Sequence, residues 1–227
     1  MKCVLEYLTD LTQNNNREWY LSNKERYHQA TAEFERFLAE LIFAIGKFDD
    51  SVIHNKPKDL TFKMVRDTRF SHDKSPYNPR FRAHISSEGK LPIPVGYYIV
   101  LAPGNQSFLG GGLFASMFKD ATTMVRDYIA YNGKEFNDII CEKAFSEHFA
   151  VKGEALKNLP KEYDFESESP QAEYLKNKSW FLEYFILDEL ITDTDAFVKQ
   201  AAQIFRLMKP FNDYLNTALK DFKMPVR

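Results

Sequence analysis

Between Gly46 and Leu60 the chain changes its hydrophobic period, and that change restricts the fold more than any other feature. Before it, Phe34, Phe37, Leu38, Leu41, Ile42 and Ile45 recur every three or four residues, which lines apolar side chains along one face of a helix. After it, Leu60, Phe62 and Met64 alternate with Thr61, Lys63 and Val65. Phe81, Ala83 and Ile85 alternate in turn with Arg80, Arg82 and His84. A period of two belongs to strands, whose side chains point to opposite faces. Val95 to Leu101 is apolar on both faces, as a central buried strand requires. Helical spacing returns at Met117, Phe118, Ala121, Met124, Val125 and Tyr128. Trp180 to Leu187 again looks like a strand, and Phe197, Val198, Ala201, Ile204, Phe205 and Met208 mark a last long helix. These segments predict a single α+β domain over residues 1–227, its antiparallel or mixed sheet packed by long N- and C-terminal helices.

Local signals punctuate this pattern. Residues 4–10 read as a short helix. Asn15 with Glu18, and Asn132 with Glu135, have the spacing of capping boxes, and Asp193 or Thr194 caps the last helix. Pro103-Gly104 signals a type II turn between hairpin strands. Gly110, Gly111 and Gly112 are expected to lead into a helix, and Pro210 to kink or break one. Residues 145–170 predict loops with one edge strand, and residues 171–176 a helical turn.

The formal net charge is -2, so no global field draws nucleic acid, and any anion site must be local. No apolar run approaches the ~18 residues of a membrane span, and Glu6 and Asp10 interrupt the apolar residues that a signal peptide would need. Cys3 and Cys141, far apart, suggest a reducing compartment, so the expected location is the cytoplasm.

The densest polar constellation runs from Phe62 to Ile85. It gathers Arg66, Arg69, Lys74, Arg80 and Arg82 with Asp67 and Asp73 around a turn holding Pro76, Asn78 and Pro79. Guanidiniums suit phosphate or carboxylate, and the two carboxylates would orient them. One reading is a pocket for a small anionic ligand. The other is a set of ion pairs that pins an irregular loop over Tyr77. Arg17 and Trp19 either add a wall to that pocket or staple a helix start to the body. The glycine triplet either lines the pocket or serves tight turning and close packing. It is no P-loop, since no Lys-Ser or Lys-Thr follows.

Other chemistries find little support. Asp73 and Lys74 are adjacent, so on a strand they would point oppositely, which is wrong for a nuclease pair. His72 and His84 lack ligand spacing, and no metal is expected. No serine lies in a G-x-S-x-G element and no motif supports either cysteine, so catalysis is left open and no cofactor is assigned. A function of another class, a non-catalytic interaction module, would use the Phe and Tyr of residues 145–174 beside Glu162, Asp164, Glu166 and Glu168, with the Arg/Asp cluster structural. The oligomeric state is not readable.

Four stretches, NNNREW (Asn14 to Trp19), RDTRFSHDKSPY (Arg66 to Tyr77), YYIVLAPG (Tyr97 to Gly104) and LGGGLF (Leu109 to Phe114), together resemble a widespread bacterial and fungal family, domain of unknown function number 2461. The resemblance spans nearly the whole chain. Members often carry Lys after the Pro-Tyr pair, where this chain has Asn78. The resemblance implies no activity, catalytic residue or cofactor.

Overall fold

The computed structural model describes residues 1–163 and 170–225. Three helices open the chain: α1 (Lys2–Gln13), α2 (Arg17–Ser22) and α3 (Lys24–Ile45). A 3₁₀ turn (Asp50–Val52) and α4 (Pro57–Leu60) lead to strands β1 (Phe81–Ile85), β2 (Tyr97–Leu101) and β3 (Ser107–Leu113). Four helices follow: α5 (Lys119–Tyr131), α6 (Gly133–Ile140), α7 (Lys143–Ser146) and α8 (Pro170–Leu175). Strand β4 (Trp180–Ile186), α9 (Asp188–Thr192) and α10 (Thr194–Ala218) complete the order. The four strands form one antiparallel sheet in the order β1-β2-β3-β4, so the fold class is α+β.

The inner sheet face carries Phe81, Ala83 and Ile85, Tyr97, Ile99 and Leu101, Leu109 and Leu113, then Trp180, Leu182 and Ile186, all buried. Helices α3 and α10 cover it. Phe81 meets Phe34 of α3 at 5.3 Å between ring centroids, Tyr97 meets Phe205 of α10 at 5.0 Å, and Phe37 stacks on Phe197 at 4.6 Å to join the two helices. Asn212 stitches α10 to the sheet by accepting the Gly112 N–H (2.8 Å) and donating to the Gly96 carbonyl (3.1 Å).

Several local expectations are corrected. The glycine triplet lies inside β3 rather than before a helix. A Cβ on Gly111 would stand 3.1 Å from Met208 Sδ, and one on Gly112 (φ +91°) would stand 2.3 Å from the Trp180 carbonyl oxygen. Close approach and a positive φ therefore require glycine at 112, whereas a side chain at 111 would press on Met208 and Asn212. The segment expected as a strand at Leu60–Val65 makes only two isolated bridges, Thr61 to Ala83 and Val65 to Tyr77. Its pairing is bulged: the Phe62 N–H reaches the Arg82 carbonyl, and Met64 accepts from Asn78, so Lys63 alone faces Pro79, Arg80 and Phe81.

Asn16, not Asn15, caps α2, accepting the Trp19 N–H. At α6, Asn132 is the N-cap residue without a side-chain cap bond, and its amide NH2 donates back to the Tyr128 carbonyl. Helix α10 runs unbroken through Pro210, carried by buried Phe205, Met208, Phe211 and Leu215 on both sides. Asp193 caps it through the Ala196 N–H, Gly104 takes the positive φ of the expected turn, and α8 supplies the helical turn near residue 171. Between residues 145 and 163 the strand-type pairing among the described residues is confined to the isolated bridges Lys152–Phe181 and Ala155–Asn177, so no edge strand forms there. Asp164, Glu166 and Glu168 lie outside the described residues.

Candidate functional site

Two neighbouring regions hold the residues that sequence singled out. The first is the loop from Arg66 to Tyr77, anchored at both depth and edge. The Asn15 side-chain amide donates to the Tyr77 carbonyl (2.9 Å), and its carbonyl accepts the Tyr77 N–H (3.1 Å), which clamps the loop to the start of α2. The Tyr77 ring is buried and stacks on Tyr20 at 4.3 Å. Tyr20, Tyr27, Tyr7 and Trp19 continue that aromatic bed, with Trp19 on Tyr7 at 5.7 Å. Trp19 thus acts as packing for α2. The Arg17 side chain is exposed and makes no hydrogen bond or ion pair among the described residues.

Within the loop the cations are spoken for. Arg69 grips Asp67 with two parallel bonds, Nε to Oδ1 at 3.0 Å and Nη2 to Oδ2 at 2.6 Å. Arg66 pairs with Asp73 and donates to the Ser75 carbonyl (3.2 Å) and Ser71 Oγ (3.3 Å). Lys74 donates to the Thr68 carbonyl at 3.0 Å. Hydrogen bonds from Ser75, then Arg66, hold the Asp73 carboxyl well below the usual carboxylate range, and bonds from Arg69 lower that of Asp67. Arg69 and Asp67 side chains are 78% and 57% exposed, so this pair stands in water. Phe70, 95% exposed, projects from the same loop.

The second region is the outer face of the sheet. Arg82 rises from it and leans over the Phe62 ring, 5.4 Å from its centroid. Its Nη2 donates to the Lys63 carbonyl (3.3 Å), whereas its Nε is buried without a hydrogen-bond partner. The Lys63 and Arg80 side chains are exposed and unpaired among the described residues. His84 follows Arg82 by two residues, on the same face and roughly 7 Å along the strand. It is 7% exposed, and burial lowers its pKa to about 4, against the pull of hydrogen bonds to the backbone of Leu91 and Lys90.

The structure therefore sorts the candidates. Arg66, Asp67, Arg69, Asp73 and Lys74 form the loop's own network, Arg80 and Arg82 belong to the sheet edge, and Tyr77 with Trp19 lies beneath. Gly110, Gly111 and Gly112 do not meet the loop. Phe81, next to the loop, pairs with Leu101, while Gly111 pairs with Tyr97 at the other end of β2. Gly112 does line a cavity of about 340 Å³ on the outer face, together with Phe62, His84, Lys90, Tyr98 and Phe114. Sequence reasoning missed Lys63, Lys90, Tyr98 and Phe114. Alternation alone could have placed Tyr98 with Arg82 and His84 once the strand register was known. A larger cavity, about 910 Å³ between α6 and α10, involves none of the ligand-site candidates, although Phe145 of the interaction-module reading lines it. Among the described residues no cluster of His, Cys, Asp or Glu could hold a metal ion, and no helix is long and apolar enough to cross a membrane.

Comparison with known proteins agrees with the motif resemblance. A family model described as conserved hypothetical protein (DUF2461) matches residues 3–214, and the chain belongs to that family. Neither curated proteins nor solved structures yielded a match.

Proposed function

We propose that this member of the conserved hypothetical family binds a small ligand bearing a phosphate or carboxylate, with Arg82 as the principal contact. The observation that carries this reading is the state of Arg82: its guanidinium lies over the Phe62 ring, bonds the Lys63 carbonyl and has no carboxylate partner among the described residues. Its terminal Nη groups keep donors for an anionic oxygen, since among the described residues only Nη2 makes a bond, to the Lys63 carbonyl. Lys63 and Arg80 flank it without carboxylate partners among the described residues, so the local potential is positive despite the chain's net charge of -2. In this reading the Arg66–Asp73 and Arg69–Asp67 pairs shape the adjoining loop. The exposed free thiols of Cys3 and Cys141 support a reducing, cytoplasmic setting.

A second reading, a non-catalytic interaction module, draws support from Phe70. A fully projected aromatic ring beside an arginine, on a loop clamped by Asn15, is the form of an anchor for a protein partner.

Thermal unfolding with inorganic phosphate and small carboxylates separates the two. Ligand at 100 times its dissociation constant adds about 2.7 kcal/mol, or roughly 5–10 °C for a domain of this size. The anion reading predicts that Arg82→Met abolishes the shift and Arg69→Met keeps it. Loss in Arg69→Met alone would move the site to the loop. No shift with well-folded protein would reject the anion reading and leave the interaction module.

A further inference from the structure

The cationic edge adjoins an aromatic cavity. Phe62 and Tyr98 meet at 6.1 Å and Tyr98 and Phe114 at 5.4 Å, with partly exposed rings that form the walls. Gly112 contributes backbone to the lining. His84 contacts Tyr98 at 6.2 Å and closes the side nearest Arg82. We infer that the anion held at Arg82 is one end of a planar aromatic or heteroaromatic ligand whose ring enters this cavity. The inference rests on the anion reading above and names the class of ligand.

Four features support it. The volume, about 340 Å³, is within the ordinary range for small-molecule pockets. Walls that present ring faces and edges favour another ring, by offset or edge-to-face contact. The lining includes one cation, Lys90, whose Nζ bonds only the Thr61 carbonyl (3.3 Å) among the described residues, and no carboxylate. Aromatic walls alone would also accept an ammonium group, but Lys90 and Arg82 oppose a cationic ligand. Finally, His84 is neutral near pH 7 because it is buried, so the cavity is apolar beside a charged rim, matching a ring with an acidic substituent.

Isothermal titration with phenyl phosphate, a purine mononucleotide, inorganic phosphate and glycerol phosphate tests this. Phenyl phosphate or the mononucleotide should bind at least tenfold more tightly than both non-aromatic phosphates. Phe114→Ala, at a partly exposed ring, should erase that difference and leave inorganic phosphate binding unchanged, while Arg82→Met weakens all four. Tyr98→Leu provides a second wall variant if Phe114→Ala unfolds. Equal affinity for aromatic and non-aromatic phosphates would overturn the ring inference and leave the anion reading standing. If none of the four binds, the anion reading falls and the ring inference falls with it.

Discussion

The loop from Arg66 to Tyr77 and the outer face of the sheet use the same residue types to opposite ends. In the loop, Arg66 and Arg69 each face an aspartate and Lys74 caps a carbonyl, so charge is cancelled where it arises. On the sheet face, Arg82 lies over a ring with no carboxylate partner among the described residues, and His84 is buried beside the cavity with backbone hydrogen bonds only. The loop packs its charged residues into one stretch of chain, but the face has more unused bonding capacity. Counting charged residues points to the first region, whereas accounting for their partners points to the second.

The largest effect should appear at His84. Its pKa of about 4 lies below the ordinary 6.5, so between those values the unfolded chain binds the proton and the folded chain does not. Stability from this source is complete above pH 6.5 and is lost as pH falls towards 4, by about 3 kcal/mol in all. Urea unfolding across that window should show the loss, and His84→Gln should flatten it. An unchanged slope in the variant would mean that other groups dominate and that the face is not held neutral by His84.

A smaller loss should follow Asn15→Ala. It strands the N–H and carbonyl of Tyr77, costing about 2 kcal/mol, and hydrogen exchange at Tyr77 and Arg66 should quicken. The smallest effect belongs to Arg69→Met. Its partner is solvated, so the urea midpoint should not move measurably. A large drop there would give the loop's ion pairs a weight that the comparison denies them.

How much of this was legible in advance depended on the range of the interactions. Helices α3 and α10 repeat their apolar face over many turns, so Phe34 to Ile45 and Phe197 to Met208 announce themselves locally. Strands β1, β2 and β4 do so by alternation or apolar runs. Strand β3 does not, because glycine contributes nothing to a hydrophobic pattern. What keeps Gly111 and Gly112 free of side chains is Met208, Asn212 and the Trp180 carbonyl, all remote in sequence. Asn15 misled for a related reason: its spacing to Glu18 suits a cap, but its bonds go to Tyr77, 62 residues away. The cation-rich loop is one continuous stretch and could be seen. The aromatic cavity draws Phe62, His84, Tyr98 and Phe114 from separate segments, and only strand register assembles them.

The most direct test of the central claim is a two-dimensional ¹H–¹⁵N NMR titration of the intact chain with inorganic phosphate. Saturable shifts are expected at the amides of Lys63, Arg82 and His84, with Asp67 to Lys74 unmoved. Saturable shifts confined to Asp67–Lys74 would contradict it and return the site to the loop.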